Sequence, residues 1–302
     1  MIIAAGEILV DIFPRYSRIG GAPFNFAYHA KHLGMDVRLI TRIGNDKTGS
    51  WILSRLEKSG FDTGFVQIDN HHETGRVIVT PDEKGGHEFE ILRDSAYDYI
   101  RFPDKPPELP DNRTAGLIYF GTLAQRTPSG FNNLQTFLSK RQPEMKCFYD
   151  INLRRDNFSD EIIKKSLETT DILKLNTDEI GYLRNMFNLD TENPTHLARW
   201  LIQRFDIEMV SLTKGADGSE IITINNHETT GVIDFEIVDT VGAGDAYAAI
   251  LAIGYLKKIP LDTVLSIANA FSAAICQIKG AVPEDPQFYE PFLKKLAGAT
   301  DV

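Results

Sequence analysis

Short, nearly continuous apolar runs recur along this chain, and most are followed by a segment in which apolar residues return every three or four positions. The runs at 2–10, 37–44, 117–121, 147–150, 172–176 and 208–213 read as buried strands. The segments 23–34, 47–59, 129–140, 159–170 and 193–204 read as helices, the first carrying a Pro near its start and closed by Gly34. Strand and helix in alternation predict a mostly parallel sheet with helical crossovers. The first run is expected to end in the carboxylates Glu7 and Asp11, at the edge where sheet enzymes keep their sites. Two stretches break the rhythm. Gly75–Thr80 and His87–Leu92 flank the turn residues Pro81–Gly86 and predict a hairpin, a small sheet standing off the main one and carrying Arg93 and Asp94 toward what it covers. A second hairpin is expected over 219–238, turning at Asn225-Asn226, after a Pro-rich charged linker at 103–113. From Ala243 onward the pattern is helical, over about 244–257, 261–275 and 288–297.

The chain has 302 residues, 42% hydrophobic and 25% charged, enough for one large domain with a full-sized core. Its formal charge of −10 supplies no basic field, so neither nucleic acid nor an acidic membrane is an expected partner. An anionic substrate needs only local donors. Two cysteines, Cys147 and Cys276, make no disulfide framework. With no basic leader and no apolar run of membrane-spanning length, a cytoplasmic location is expected.

The chemistry concentrates at 237–250. Gly242 and Gly244, spaced by Ala243, precede Asp245 and a long small and apolar run. This predicts a tight turn into a helix whose first N–H groups face an anion, with Asp245 beside them. The plainer alternative is a glycine-rich connection in which Asp245 only caps a core helix. No Gly-x-Gly-x-x-Gly follows the first strand and no Gly-x-x-x-x-Gly-Lys-Ser/Thr occurs, so any nucleotide phosphate is held otherwise. His71-His72-Glu73 lacks metal-site spacing and reads as a solvated loop. Polar groups follow most strands, among them Asp11, Gly121, Asp150–Arg154, Asn176–Glu179 and Thr213–Gly215, and a parallel sheet would gather them at one edge.

Asp239-Thr240-x-Gly242-Ala243-Gly244-Asp245, preceded by Asn176-x-x-Glu179 and by Gly20-Gly21-x-x-x-Asn25, resembles the ribokinase-like PfkB family of carbohydrate kinases over essentially the whole chain. The resemblance implies an αβα core with a mostly parallel central sheet, one kinase domain over 1–302, and a small β lid built from about 11–20 and 64–98. It implies ATP-dependent phosphorylation with Mg²⁺, in which Asp245 is the base and Gly242, Ala243 and Gly244 form the anion hole. Asn176 and Glu179 would organise Mg²⁺ and its waters. Asp11 and Asn25, with Gly20 and Gly21, would meet the sugar. Thr213, Lys214 and Gly215 resemble the adenine and ribose turn, Asn269 and Ala273 the nucleotide wall, and Lys279-Gly280-Ala281 the closing loop. In some members the segment matching Asp239-Thr240 takes part in binding a monovalent cation such as K⁺.

Gly-Gly-Ala-Pro-Phe-Asn, Leu92–Asp98 and Asp150-Ile-Asn-Leu-Arg154 are similar to the fructokinase subgroup. That likeness implies Arg93 and Asp98 at the sugar and Arg154 near the ATP phosphates. It departs from the subgroup at Tyr97, an extra residue before Asp98, at Ile151 in place of Pro, and at Phe24 in place of a small residue, expected to fill core. The expected reaction is fructose to fructose 6-phosphate. Ribose, 2-keto-3-deoxygluconate or a nucleoside are the alternative acceptors, and a silent binding regulator is the reading from another class. The apolar alternation Val77, Val79, Phe89 and Ile91 predicts a lid face on which two copies form a homodimer.

Overall fold

The computed structural model describes residues 1–81, 87–107, 109, 115–231 and 236–299. Its strands are β1 Ile2–Ala5, β2 Leu9–Ile12, β3 Ser17–Gly20, β4 Val37–Gly44, β5 Val66–Asp69, β6 Gly75–Pro81, β7 His87–Ile91, β8 Gly116–Gly121, β9 Met145–Asp150, β10 Ile172–Asn176, β11 Met209–Thr213, β12 Ser219–Ile222 and β13 His227–Thr230. The α-helices are α1 Ala22–His32, α2 Lys47–Lys58, α3 Pro128–Ser139, α4 Asp160–Leu167, α5 Thr177–Met186, α6 Pro194–Phe205, α7 Ala243–Lys257, α8 Leu261–Cys276 and α9 Glu290–Gly298.

The main sheet runs β13-β12-β11-β10-β9-β8-β1-β4-β5, parallel except at β12 and β13. Its central strands are buried on both faces, which is why they read as apolar runs rather than alternations. In β1, Ile2 and Ala4 join the core shared with α1, α2, α7, α8 and α9, while Ile3 and Ala5 join that shared with α3 to α6. The result is a three-layer αβα arrangement. Helix α7 has no polar face and lies in the first of these cores, and a Cβ on its Gly254 would come within 2.4 Å of Val264 on α8. Cys147 and Cys276 are buried free thiols. Chain order reverses between β8 and β1, which puts a crevice at the carboxyl ends of those two strands.

A second sheet, β3-β2-β6-β7, stands over that crevice. The expected hairpins are both present, β6 with β7 and β12 with β13, although the turn residues 82–86 of the first lie outside the described residues. The expected single first strand is not present. Gly6, at φ 149°, ends β1, and the chain resumes at Leu9 in the small sheet, where β2 pairs with β3 and β6. Asp11 therefore sits on a lid strand and not at the end of a central one. The lid is also shorter than 64–98, because β5 pairs with β4 at the edge of the main sheet. Three of the strands and α-helices escaped the pattern: β3, hidden before the glycine pair, β5 at the edge of the main sheet, and α5, which follows β10 directly. Of the lid's apolar positions, Val77, Phe89 and Ile91 line the chain's own cleft, and Phe89 is also exposed. Among the described residues no helix is long and apolar enough to cross a membrane.

Candidate active site

Between the sheets lies a cleft of about 400 Å³, lined by Glu7, Asp11, Gly21, Asn25, Thr122, Asp150, Asn152, Arg154, Lys174, Asn176, Glu179, Thr213, Thr240, Gly242, Gly244 and Asp245 among others. Strand ends of the main sheet supply one wall and the apolar side chains of Leu9, Val77, Phe89 and Ile91 the other.

Gly242 caps α7 in the left-handed conformation, φ 80°, and a Cβ there would lie 2.4 Å from that of Ala281. Both facts demand glycine. The turn aims the unpaired N–H groups of the first helical turn at the cleft, and Asp245 stands in that turn. Asn25, on the buried first turn of α1, donates from Nδ2 to Asp245 Oδ2 at 2.8 Å. Burial and the neighbouring charge of Asp150 push the Asp245 carboxyl up to about 7. Of the three residues expected in the anion hole, Gly242 and Gly244 line the cleft, whereas Ala243 does not and its N–H donates to Thr240 O at 3.3 Å.

A buried ion pair lies beside the Gly242–Gly244 turn. Lys174 Nζ is 3.0 Å from both oxygens of Asp150, and Tyr119, stacked on Phe26 of α1, donates to Asp150 Oδ2 at 3.0 Å. The same ammonium would lie 3.3 Å from a Cβ on Gly244. Burial works against its charge, but Asp150, Glu179 and Asp245 together hold Lys174 above its ordinary value. The lysine escaped sequence analysis because it sits mid-strand; its signal was a lone cation inside the apolar run of β10.

Other expected residues have different roles. Glu179 lines the cleft, but Oε1 accepts from Leu153 N at 3.0 Å and Oε2 from Asn176 N at 2.8 Å, fixing the loop after β9 to the start of α5. Asn176 caps α5 by accepting from the N–H groups of Asp178 and Glu179. Gly20 does not line the cleft; it makes room for Asp11, whose Oδ2 would meet its Cβ at 2.6 Å. Asp11 itself lines the cleft, and burial pushes it up to about 6. Arg154 lines the cleft from an exposed position.

Several residues expected at the site stand away from it. Arg93 is exposed on a separate surface hollow beside His71 and His72. Asp98 is buried, paired with Arg126 at 2.7 Å and capping its own turn through Ser95 N, so that acid faces inward. Lys214 pairs with Glu220, and Gly215 is an exposed turn glycine at φ 58°, leaving Thr213 as the member of that trio in the cleft. Asn269 Nδ2 lies 2.7 Å from both Ser219 Oγ and Thr230 Oγ1, tying the β12–β13 hairpin to α8, where Ala273 is buried. Gly280 lies on another hollow and donates to Asp239 Oδ2 at 2.9 Å. That oxygen also accepts from Arg18 of β3 at 3.1 Å. Phe24 fills core as expected.

The titrations of the cleft carry a stability consequence. Burial pushes Glu7, like Asp245, up to about 7. From the ordinary carboxylate range near 4 up to about pH 7 the native protein therefore holds protons that the unfolded chain has released, and the stability they add is lost as pH rises through the folded values. Below the ordinary 6.5 of an imidazole, His29 opposes this, because burial between Ala281 O and Tyr289 OH pulls its value down to about 3. Thermal melts should fall from about pH 5 to 7.5 and level off above it, and Asp245→Asn combined with Glu7→Gln should remove that fall; an unchanged slope refutes the assignment.

Comparison with known proteins agrees with this architecture. Residues 15–287 match the model of the pfkB family carbohydrate kinases. The fructokinase of Solanum tuberosum is 25% identical over 320 residues, covering 99% of this chain and 97% of that protein. In structure, a double mutant of the Vibrio cholerae O395 fructokinase, bound to fructose, ADP and potassium ion, superposes with a TM-score of 0.80 at 21% identity, covering 97% of each chain. Aminoimidazole riboside kinase from Salmonella enterica, complexed with its riboside and an ATP analog, gives 0.79 at 21% identity, covering 97% of this chain and 99% of that one. The two structures bear on the fold; the sequence model spans most of the chain, and the chain belongs to the pfkB family of carbohydrate kinases.

Proposed function

We propose that this sugar kinase transfers the γ-phosphoryl group of ATP to the primary hydroxyl of fructose, giving fructose 6-phosphate and ADP. The observation that carries the reading is Asp245 held by Asn25 at 2.8 Å in the first turn of α7, beside the Gly242–Gly244 turn. A carboxylate with a value near 7 is matched to taking a hydroxyl proton at neutral pH. As that proton moves to Asp245, the sugar oxygen bonds to the γ-phosphorus, the bond to the β–γ bridging oxygen breaks, and ADP leaves. The N–H groups at the start of α7, with Lys174 and Arg154 lining the same cleft, answer the charge that spreads over the phosphoryl oxygens. The apolar lid wall keeps water from competing as acceptor.

The donor set suits Mg²⁺ arriving with the nucleotide. Glu179 and Asp150 offer hard oxygen atoms at the cleft, already engaged by amides and by Lys174, which fits a cation that retains its waters. When bound, Mg²⁺ neutralises phosphate charge.

Fructose is favoured by the Gly20–Asn25 segment and by the naming of the Solanum tuberosum relative. A panel of fructose, ribose, glucose, 2-keto-3-deoxygluconate and adenosine, assayed with Mg²⁺-ATP, tests it. Selective formation of fructose 6-phosphate is expected. Turnover of another member would move the acceptor while keeping the Asp245 chemistry, and no transfer at all would refute the reading.

A further inference from the structure

Glu7 belongs to the turn by which the chain leaves the main sheet for the lid. Gly6 precedes it, and the side chain is 3% exposed yet lines the cleft alongside Asp11, Gly21, Asn25 and Asp245. Its Oε2 is buried without a hydrogen-bond partner. Nor has Glu7 an ion pair among the described residues. Arg126 is committed to both oxygens of Asp98 and to Asn157 Oδ1, while the charge of Arg154 at the cleft wall and the backbone N–H groups of Glu7 and Ala22 favour the carboxylate without giving Oε2 a hydrogen bond. Leaving a buried carboxyl oxygen unmatched is costly, so such a group calls for a donor.

A second orphan lies in the same cleft. Asn25 Oδ1 is also buried without a partner, although its Nδ2 holds Asp245. Two acceptor oxygens on two elements, β1's end and the first turn of α1, thus converge beside the proposed base, with Asp11 lining the same wall. A polyol presents several hydroxyl donors at short spacing, which this arrangement can match and a nearly featureless acceptor cannot.

We propose that Glu7 is a specificity-determining residue of the acceptor site, its Oε2 receiving a hydroxyl of the bound sugar other than the one phosphorylated. This rests on the kinase reading above. The backbone that carries the side chain is fixed: Gly21 packs so closely on the Glu7 carbonyl that a Cβ at Gly21 would approach that oxygen to 2.6 Å. Burial keeps its value near 7, so Glu7 can meet the sugar either as carboxylate or as acid.

The test compares kcat/KM of the full-length protein for fructose and its 3-deoxy and 4-deoxy analogues, with Mg²⁺-ATP, in wild type and Glu7→Leu. Wild type should lose about tenfold to a hundredfold on one analogue, the cost of an unmatched buried acceptor. Glu7→Leu should lose a comparable factor on fructose and nothing further on that analogue. If Glu7→Leu fails to fold, Glu7→Asp, which withdraws the carboxylate by one methylene, should show the same loss of discrimination. A merely structural Glu7 would lower all sugars equally and leave their ratios at the wild-type values, overturning the assignment. Wild-type transfer to no sugar would instead overturn the kinase reading and this proposal with it.

Discussion

Asp245→Asn is expected to reduce turnover by about 10²-fold to 10⁴-fold while sugar and nucleotide affinities stay within a few-fold of wild type. The replacement keeps the size of the side chain and a group that can meet Asn25 Nδ2 at the present 2.8 Å, so the first turn of α7 should not rearrange. What it removes is the ability to accept a proton. The effect should therefore appear in kcat, with KM nearly unchanged, which separates a chemical role from uniform binding. In wild type, kcat should fall as pH drops below about 7, because burial and Asp150 raise the Asp245 carboxyl to that value and protonation silences it. Isothermal titration for binding and initial rates for turnover check both halves; a variant with wild-type kcat would remove Asp245 from the reaction.

Lys174→Met is expected to destabilise the fold by about 3–5 kcal/mol, the cost of leaving a buried charge without its partner. The side chain it replaces is almost entirely buried, and Asp150 on the neighbouring strand is 1% exposed. Methionine conserves most of the volume, so the loss comes from Asp150 and not from a cavity. The double variant Lys174→Met with Asp150→Asn should regain a large part of the stability, since neither half of the pair then faces an uncompensated charge. Its activity should remain low, because an ammonium that borders Gly244 is gone from the anion hole. Denaturant midpoints would show the first effect. A single variant as stable as wild type would mean that Asp150 is protonated or otherwise matched.

The parallel sheet was legible because its strands are buried on both faces and its helices carry a 3.6-residue rhythm. The anion turn was legible for a local reason: two glycines, an acid and a run of small residues sit within a few positions. Asp11 was found by its type and misplaced in the fold, since an apolar run cannot announce that Gly6 breaks it into strands of two sheets. Asp98 and Arg93 failed differently. Asp98 is turned to Arg126, 28 residues along the chain, a pairing that no local pattern announces, and Arg93 lies on a separate surface hollow. Lys174 and the orphaned oxygen of Glu7 depend on neighbours from other elements, which no local pattern encodes.

The Arg18 guanidinium on β3 and the Gly280 N–H share one oxygen of Asp239, three residues before the Gly242 turn. That single carboxylate fastens the small sheet to the entrance of α7. A sugar that moves the lid strand thus alters the ground on which the triphosphate is received, and a nucleotide that sets the turn alters the lid. By linkage the two influences are one quantity: whatever factor a sugar adds to nucleotide affinity, the nucleotide must add to sugar affinity.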